Sequence, residues 1–242
     1  RHYEKAKGLF AAVGNVRRQC IMDLNTGENY RLKGDFTRAR RLYRAAYETA
    51  QQLNDVITMS MAVTNEGLAL LSMGQHKTAY RSLEEGLALS HQWQERLDQI
   101  PSLRCEIYHA MALILLEQGD VAAAWENAKQ TLRMARESGD SPNLGLAYRV
   151  LGEVLTITEQ PLDESLGDGI TDPDEYFRLS LEVFRQVNME AEMARTIFAQ
   201  GRSLARRGRR TTAARKFQQV MIMFTQLGMV DDIAKAAEAQ LS

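Results

Sequence analysis

The sequence predicts an all-α fold in which about 12 helices form an array of antiparallel pairs. The first observation is composition. The 242 residues include 4 prolines and 16 glycines, and 25% are charged, which favours a helical chain over a disordered or all-β one. The second is a frame of small residues that recurs along the chain. The third is that each complete copy of the frame contains a glycine suited to ending a helix.

The recurring frame consists of two glycines seven residues apart and an alanine twelve residues after the first glycine. Its first copy places these residues at Gly27, Gly34 and Ala39. Further copies begin at positions 67, 112, 152 and 201. Alanine replaces the first glycine at 112, and the copy at 152 keeps the first half alone. Because such repetition indicates stacked units of one type, the frame argues against a phosphate-binding loop between Gly27 and Gly34, which also lacks a GKS/T ending.

Each position of the frame has a physical role in a pair of helices. The first glycine falls in mid-helix, where glycine costs roughly 1 kcal/mol relative to alanine, so we expect it where two helices touch closely. The second glycine ends the first helix, because it adopts the left-handed cap conformation without strain. The alanine marks the place where the second helix crosses the first. A larger residue one turn later, at Tyr43, Leu83 or Phe217, fills the space beyond.

This frame resembles the tetratricopeptide repeat (TPR), whose signature runs W-x2-L-G-x2-Y and then A-x3-F. The best matches are Tyr148-x2-Leu151-Gly152-x2-Leu155, Gly27-x2-Tyr30 and Ala39-x3-Tyr43. The resemblance covers nearly the whole chain and implies a TPR-like right-handed superhelix of helix pairs. Successive copies begin 40 to 49 residues apart. This is similar to the longer-period repeats of kinesin light chains, spindle-orientation adaptors and the sensor regions of bacterial STAND-type signalling ATPases.

We expect a single TPR solenoid over 1–242 and interpret it as a fragment of a longer protein. A half repeat at 1–16 contains a helix over 2–13. Paired helices follow at 17–33 with 36–53, 55–73 with 76–93, 98–118 with 121–138, 142–159 with 173–187, and 189–207 with 210–227. A last helix at 229–240, within the segment 229–242, is expected to cap the open end of the array.

The acidic insert, residues 159–175, replaces a tight turn in the fourth pair. It holds seven acidic residues and no basic one. Its sequence fits a solvated surface loop or a mobile, regulatory insert, since long loops in compact arrays are often functional. At its end, Asp172 is a candidate helix cap, Pro173 fits the first turn, and Glu175 can close a capping box.

The basic segment, residues 194–230, follows the insert and holds eight basic residues and no acidic one. In one interpretation the insert neutralises part of this charge and solvent screens the rest. In the other, the segment docks an acidic peptide or another domain. Nucleic acid is the least favoured partner, because aromatic residues are not interleaved with the basic ones and the net charge of the chain is −1.

The sequence gives no sign of catalysis, a cofactor or a membrane span. The four histidines form no HExxH or other metal-ligand spacing, no GxSxG motif occurs, and the carboxylates lie at helical surface spacing. No run of about 18 apolar residues is present. The two distant cysteines, Cys20 and Cys105, indicate buried thiols in a reducing compartment, so we expect a cytoplasmic location. We therefore expect a protein that is not an enzyme and binds no cofactor or metal.

The resemblance implies a concave face lined by the first helix of each pair. Asn25 and Asn65 lie two residues before a frame glycine, where longer-period relatives often have an asparagine that grips the backbone of an extended peptide. Ala110, Val150 and Ala199 stand there in the other copies, and the alternative is that the two asparagines bond to a neighbouring helix. The other residues expected on this face are Leu24, Glu28, Arg31, Thr64, Leu68, Leu71, His109, Leu113, Arg149, Glu153, Phe198, Arg202 and Arg206.

Such a face would be apolar in its middle and basic toward the C-terminal end, which suits an acidic or amphipathic partner segment. The sequence thus predicts a non-catalytic protein- or peptide-binding TPR module, a scaffold for interactions. Resemblance of residues 175–229 to the ends of bacterial multidomain signalling proteins implies a sensor or regulatory role beside a STAND-type ATPase. The alternative is an architectural module that self-associates or packs against neighbouring domains of the same chain.

Overall fold

The computed structural model describes residues 5–6, 8–10, 14–92, 100–159, 161, 166 and 169–241. Within these ranges no residue lies in a strand, and eleven helices have defined bounds. They are α1 (Val16–Leu32), α2 (Phe36–Gln52), α3 (Val56–Ser72), α4 (His76–His91), α5 (Ile100–Gln118), α6 (Val121–Ser138), α7 (Ser141–Thr158), α8 (Pro173–Gln186), α9 (Glu190–Arg206), α10 (Arg210–Leu227) and α11 (Val230–Leu241). Each bound lies within two residues of the predicted one. Of the predicted helix 2–13, residues 5–6 and 8–10 are helical, and the others lie outside the described residues.

The chain forms two compact units, Arg1–Ala110 and Met111–Ser242, and their boundary falls within α5. In the first unit α1 packs on α2, α2 on α3 and α3 on α4, and α1 also contacts α3. In the second unit α6 to α11 pack consecutively, and α9 also contacts both α7 and α11. Within each unit, therefore, first helices of successive pairs lie side by side and each is covered by its second helix. The single solenoid over 1–242 stays a prediction.

Short polar side chains begin the helices, and left-handed residues end them. In six helices the N-cap side chain accepts a hydrogen bond from a backbone N–H of the first turn, which satisfies a donor that the helix leaves unpaired. These N-caps are Asn15, Asp35, Asp55, Asp120, Asp140 and Asp172. The four glycines predicted to end helices have positive φ: Gly34, Gly74, Gly119 and Gly208. Each of these glycines lies within a turn of two or three residues, and so short a turn makes the two helices it joins antiparallel.

The first glycine of the frame lies where two helices touch, as predicted. A Cβ on Gly27 would lie 2.5 Å from Tyr43 Cε1, and one on Gly201 would lie 2.8 Å from Phe217 Cε1. The alanine at the crossing is fully buried, with Ala39 at 0% exposure. The aromatic ring of the second helix thus occupies the space that a side chain on the first helix would need.

A second set of glycine contacts was not predicted from the sequence. A Cβ on Gly145 would lie 2.6 Å from the Phe184 ring. The Gly145 carbonyl also accepts a hydrogen bond from the Ser180 hydroxyl at 2.8 Å. An equivalent bond joins the Ser60 hydroxyl to the Gly86 carbonyl at 2.8 Å. A small residue on one helix and a serine on its partner therefore hold two of the pairs at short distance.

The acidic insert ends at the start of α8, as predicted. Asp172 accepts a hydrogen bond from the backbone N–H of Asp174 at 2.9 Å, and Pro173 is the first helical residue. Glu175 does not form the expected capping box. Its carboxylate instead pairs with Arg178 at 2.7 Å, because the two residues lie one turn apart on the exposed face of α8. Seven residues of the insert (160, 162–165 and 167–168) lie outside the described residues, so both interpretations of the insert stay predictions.

We expect Gly27→Ala to lower the free energy of unfolding by about 1–3 kcal/mol, although alanine is the better helix former by about 1 kcal/mol. The added methyl group would collide with the Tyr43 ring between α1 and α2. Urea denaturation followed by far-UV circular dichroism measures the change.

Gly67→Ala serves as the matched control, because its Cβ would meet the Leu83 side chain at 3.0 Å, a less severe contact. The effect of Gly27→Ala should also be smaller in a Tyr43→Leu background, which copies the leucine of the next pair. If Gly27→Ala is as stable as the unsubstituted protein, the close contact does not explain why the spacing of the frame recurs within this chain.

Candidate functional site

The first compact unit exposes part of the predicted binding face. The residues with partial exposure are Asn25, Glu28, Arg31, Asn65, Leu68 and Leu71. Leu24 and Thr64 are buried, with 2% and 0% exposure. Leu24 packs in the core, and Thr64 faces Gly86 on α4. His109 on α5 is buried as well. Leu24, Thr64 and His109 therefore present little surface to a partner in this structure.

Asn25 and Asn65 occupy equivalent positions on α1 and α3, two residues before Gly27 and Gly67. Both side chains are partly exposed, and the two helices are in contact. Among the described residues, neither side-chain amide makes a hydrogen bond. In this part of the chain the two asparagines therefore do not bond to a neighbouring helix, which was the alternative interpretation. Each amide keeps its donor and acceptor groups available to a ligand.

A charged pair lies about one turn further along α1. Arg31 donates to Glu28 from Nη2 at 2.6 Å and from Nε at 2.8 Å, a bidentate arrangement. The Tyr43 hydroxyl also donates to Glu28 at 3.3 Å. Burial and the charge of Glu28 raise the pKa of Tyr43, so the phenol keeps its proton. The pair carries no net charge, and its position on the same helix as Asn25 is fixed by three hydrogen bonds.

In the second unit, partly buried ion pairs connect three helices that lie side by side. Arg149 on α7 donates to Glu192 on α9 at 2.7 Å, and its side chain is 9% exposed. Glu192 also accepts from Arg195 at 2.6 Å, and Arg195 reaches Asp232 on α11 at 3.1 Å. Burial alone would raise the pKa of Glu192, but the guanidinium groups of Arg149 and Arg195 outweigh it and lower the pKa to about 2. Arg149, predicted on the binding face, thus holds helices together.

Glu153, Phe198 and Arg202 are neighbours on α7 and α9. Burial raises the pKa of Glu153, and the positive charges of Arg202 and Arg149 oppose that shift. The Arg202 guanidinium lies over the ring of Phe198, 6.0 Å from its centroid. Glu153 and Phe198 are partly exposed, whereas Arg202 and Arg206 are exposed. This part of the predicted face is therefore accessible and ends in positive charge.

Of the eight basic residues in the basic segment, three form ion pairs in the described part of the chain: Arg195, Arg207 and Arg209. Arg207 pairs with Asp172 at 3.3 Å and with Asp174 at 2.7 Å, and Arg209 pairs with Asp174 at 3.0 Å. Arg195 belongs to the partly buried network above. In the described part of the chain no ion pair involves the other five, which are Arg202, Arg206, Arg210, Arg215 and Lys216. The start of α8 thus neutralises part of the basic segment; of the other five residues, four are exposed and Lys216 is partly exposed.

Three of these five residues line an open cleft between α9, α10 and α11, which we call the arginine cleft. Its volume is about 610 Å³, and its lining is Arg202, Ala205, Arg206, Arg210, Ala213, Ala214, Phe217, Ala239 and Gln240. The arginines are exposed at its rim, whereas Ala213 and Phe217 are buried beneath it. Positive charge therefore surrounds a floor of small apolar side chains.

Sequence reasoning placed Arg202 and Arg206 on the predicted binding face and named the segment 194–230, which includes Arg210, as a candidate docking site, but it missed the lining contributed by α11. It assigned the binding face to first helices alone, whereas Arg210 opens a second helix and Ala239 lies on the terminal one. The available signal was the density of arginines across the turn at 206–210.

The described residues hold no candidate metal centre: no group of three or more histidine, cysteine, aspartate or glutamate side chains is arranged to bind an ion. In those same ranges, no helix combines the length and the apolar character needed to cross a membrane. Cys20 and Cys105 are buried, and neither is in a disulfide. Burial raises the pKa of the Cys20 thiol, which therefore stays protonated near neutral pH.

Solved structures of TPR-like proteins share this fold. The apo form of RapI aligns over 90% of this chain and 74% of its own, with a TM-score of 0.60 and 13% identity. A crystal structure of a Podosopora anserina putative kinesin light chain with nearly identical TPR-like repeats aligns over 86% of this chain and 95% of its own, with a TM-score of 0.50 and 15% identity. No protein-family model and no curated protein matches the chain. The predicted all-α, TPR-like fold is confirmed; the resemblance to STAND-type sensor regions stays a prediction.

Replacing Glu192 with glutamine is expected to lower the free energy of unfolding by about 3 kcal/mol at neutral pH, because buried Arg149 would lose its carboxylate. The pKa of Glu192 falls from its ordinary value of 4.5 to about 2 on folding. The stabilising contribution is therefore complete above about pH 5 and is lost as the pH falls toward about 2. Urea denaturation across this range should show the difference between the protein and the variant shrinking as the pH falls.

Glu182→Gln is the control, because Glu182 pairs with Arg178 at 3.0 Å and both side chains are about half exposed. We expect it to change stability by less than about 0.5 kcal/mol. Equal losses in the two variants would show that the network between α7, α9 and α11 has no special role.

Proposed function

We propose that this chain is a non-catalytic module that binds a protein or peptide segment on the face of α1 and α3. The observation that carries the proposal is the pair of side-chain amides at Asn25 and Asn65. They stand at equivalent positions on neighbouring helices and, among the described residues, have no hydrogen-bond partner. The TPR-like fold supports the proposal, because such repeats present a row of first helices to a partner.

An asparagine amide offers a donor and an acceptor in one plane, so it can pair with the C=O and N–H groups of a peptide backbone. Two such amides on adjacent helices would hold an extended segment by its main chain, whatever its sequence. Leu68 and Leu71, partly exposed on α3, add apolar contact. The fixed pair of Glu28 and Arg31 adds a polar contact. An amphipathic segment therefore fits this face best.

In this proposal the module is the sensor or regulatory part of a larger multidomain signalling protein in the cytoplasm. The resemblance of residues 175–229 to the ends of bacterial signalling proteins supports this role. Cys20 and Cys105 are buried and not joined in a disulfide, which is compatible with a reducing compartment. The segment bound would come from another protein or from a neighbouring domain of the same chain.

The double variant Asn25→Ala/Asn65→Ala is expected to weaken peptide binding at least about tenfold, because the backbone of the bound segment loses its two amide partners. The probe is a peptide selected by the unsubstituted protein from a displayed library of random peptides and then labelled with fluorescein. Fluorescence polarisation gives the dissociation constants.

Asn29→Ala is the control for this experiment. Asn29 is also on α1, but it is exposed, and its side-chain amide already donates a hydrogen bond to the backbone carbonyl of Asn25. Its effect on the dissociation constant should stay below about twofold. Unchanged affinity of the double variant for the selected peptide would refute binding at this face.

An architectural role is the second candidate, favoured by exposed apolar side chains on the last two helices. Ile222 on α10 is 60% exposed and Val230 at the start of α11 is 73% exposed. Light scattering after size-exclusion chromatography tests this role. If removal of 229–240 causes association while Asn25→Ala/Asn65→Ala leaves peptide binding intact, the architectural role replaces the peptide-binding one.

A further inference from the structure

We propose that the arginine cleft is a second binding site and that its occupant is an acidic amphipathic helix of a partner protein. The cleft lies between α9, α10 and α11 and involves neither Asn25 nor Asn65. The inference therefore goes beyond the proposed function and can fail or hold independently of it.

The arginines of the cleft keep their charge available within the described part of the chain. Asp172 and Asp174 are engaged with Arg207 and Arg209 on the turn between α9 and α10. Arg202 lies in the field of Glu153, but the two form no ion pair there. Among the described residues, three arginines and no acidic residue line the cleft. Binding of carboxylates would break no ion pair between described residues, and each exposed guanidinium can form a bidentate contact.

Two of the arginines, Arg202 and Arg206, form a row along α9. Arg202 and Arg206 are four residues apart on α9, which separates them by about 6 Å along the helix axis. Arg210 begins α10 just beyond the turn and lines the same cleft. Carboxylates at positions i and i+4 of a helix have the same spacing of about 6 Å. A row of positive charges on this spacing matches an acidic helix better than a single small anion.

The floor of the cleft admits a helix at close range. Its lining includes four alanines, Ala205, Ala213, Ala214 and Ala239, which leave room for the side chains of an approaching helix. Packed helices lie about 8–10 Å apart, and small residues at the contact allow the shorter distances. An apolar residue beside the carboxylates of the partner helix would cover these alanines.

The same lining disfavours a nucleic acid. Bases bind single-stranded sites by stacking on exposed aromatic rings. Phe217 is 3% exposed, and the Arg202 guanidinium lies over the ring of Phe198. The cation–π contact also orders Arg202 before binding, which reduces the entropy lost when it pairs with a carboxylate.

The test uses a fluorescein-labelled synthetic helix of about 20 residues, with glutamates at i, i+4 spacing on one face and leucines beside them. Arg206→Ala/Arg210→Ala should weaken its binding at least about tenfold. Arg215→Ala/Lys216→Ala removes the same charge outside the cleft and should weaken it less than about threefold. Higher salt should lower the affinity, because the contacts are exposed charges. Far-UV circular dichroism checks that both variants stay folded.

Two further arms make the outcome decisive. Asn25→Ala/Asn65→Ala should leave the affinity for the acidic helix unchanged, which separates this site from the one proposed above. The same helix with glutamine in place of glutamate should not bind. No saturable binding of the acidic helix, equal weakening by the two double variants of basic residues, or tighter binding of a single-stranded oligothymidine would each overturn the proposal.

Discussion

In four of the five helix pairs, a glycine on the first helix closely approaches a bulky side chain on the second helix, and this contact determines how the pair is built. A Cβ on Gly27 would lie 2.5 Å from the Tyr43 ring, and a Cβ on Gly152 would lie 3.0 Å from the Phe177 ring. A glycine in mid-helix weakens the isolated helix, so these helices depend on packing for their stability. Because contacts between the two helices stabilise each pair, the outward faces of the first helices are available to bind a partner.

This constraint also explains how much could be predicted from the sequence. Glycine and alanine at fixed spacing mark both the helix contact and the helix end, so the helix bounds agree with prediction to within two residues. The contacts at Gly86 and Gly145 were missed because they lie outside the frame. The face was predicted less well. The resemblance to TPR proteins placed Leu24 and Thr64 on the binding face, but exposure depends on how the neighbouring helices cross, and both are buried.

Charge placement gives the two compact units different surface properties. On α1 the opposite charges of Glu28 and Arg31 cancel and fix each other in position. On α9, Glu192 pairs with Arg149 and Arg195 in a partly buried network, and acidic residues at the start of α8 pair with Arg207 and Arg209. The sequence shows an excess of positive charge but not which arginines keep it, since that depends on pairs separated by more than 30 positions.

The central claim is that side-chain amides on α1 and α3 hold the backbone of a bound segment. Nuclear magnetic resonance of the side-chain NH₂ groups, recorded during titration with a selected peptide, tests this most directly. The account predicts that the NH₂ resonances of Asn25 and Asn65 shift with peptide concentration. That of Asn127, which is partly exposed on α6 and donates to the Ala123 carbonyl, should not shift. Saturable binding that leaves the Asn25 and Asn65 resonances unmoved would contradict it.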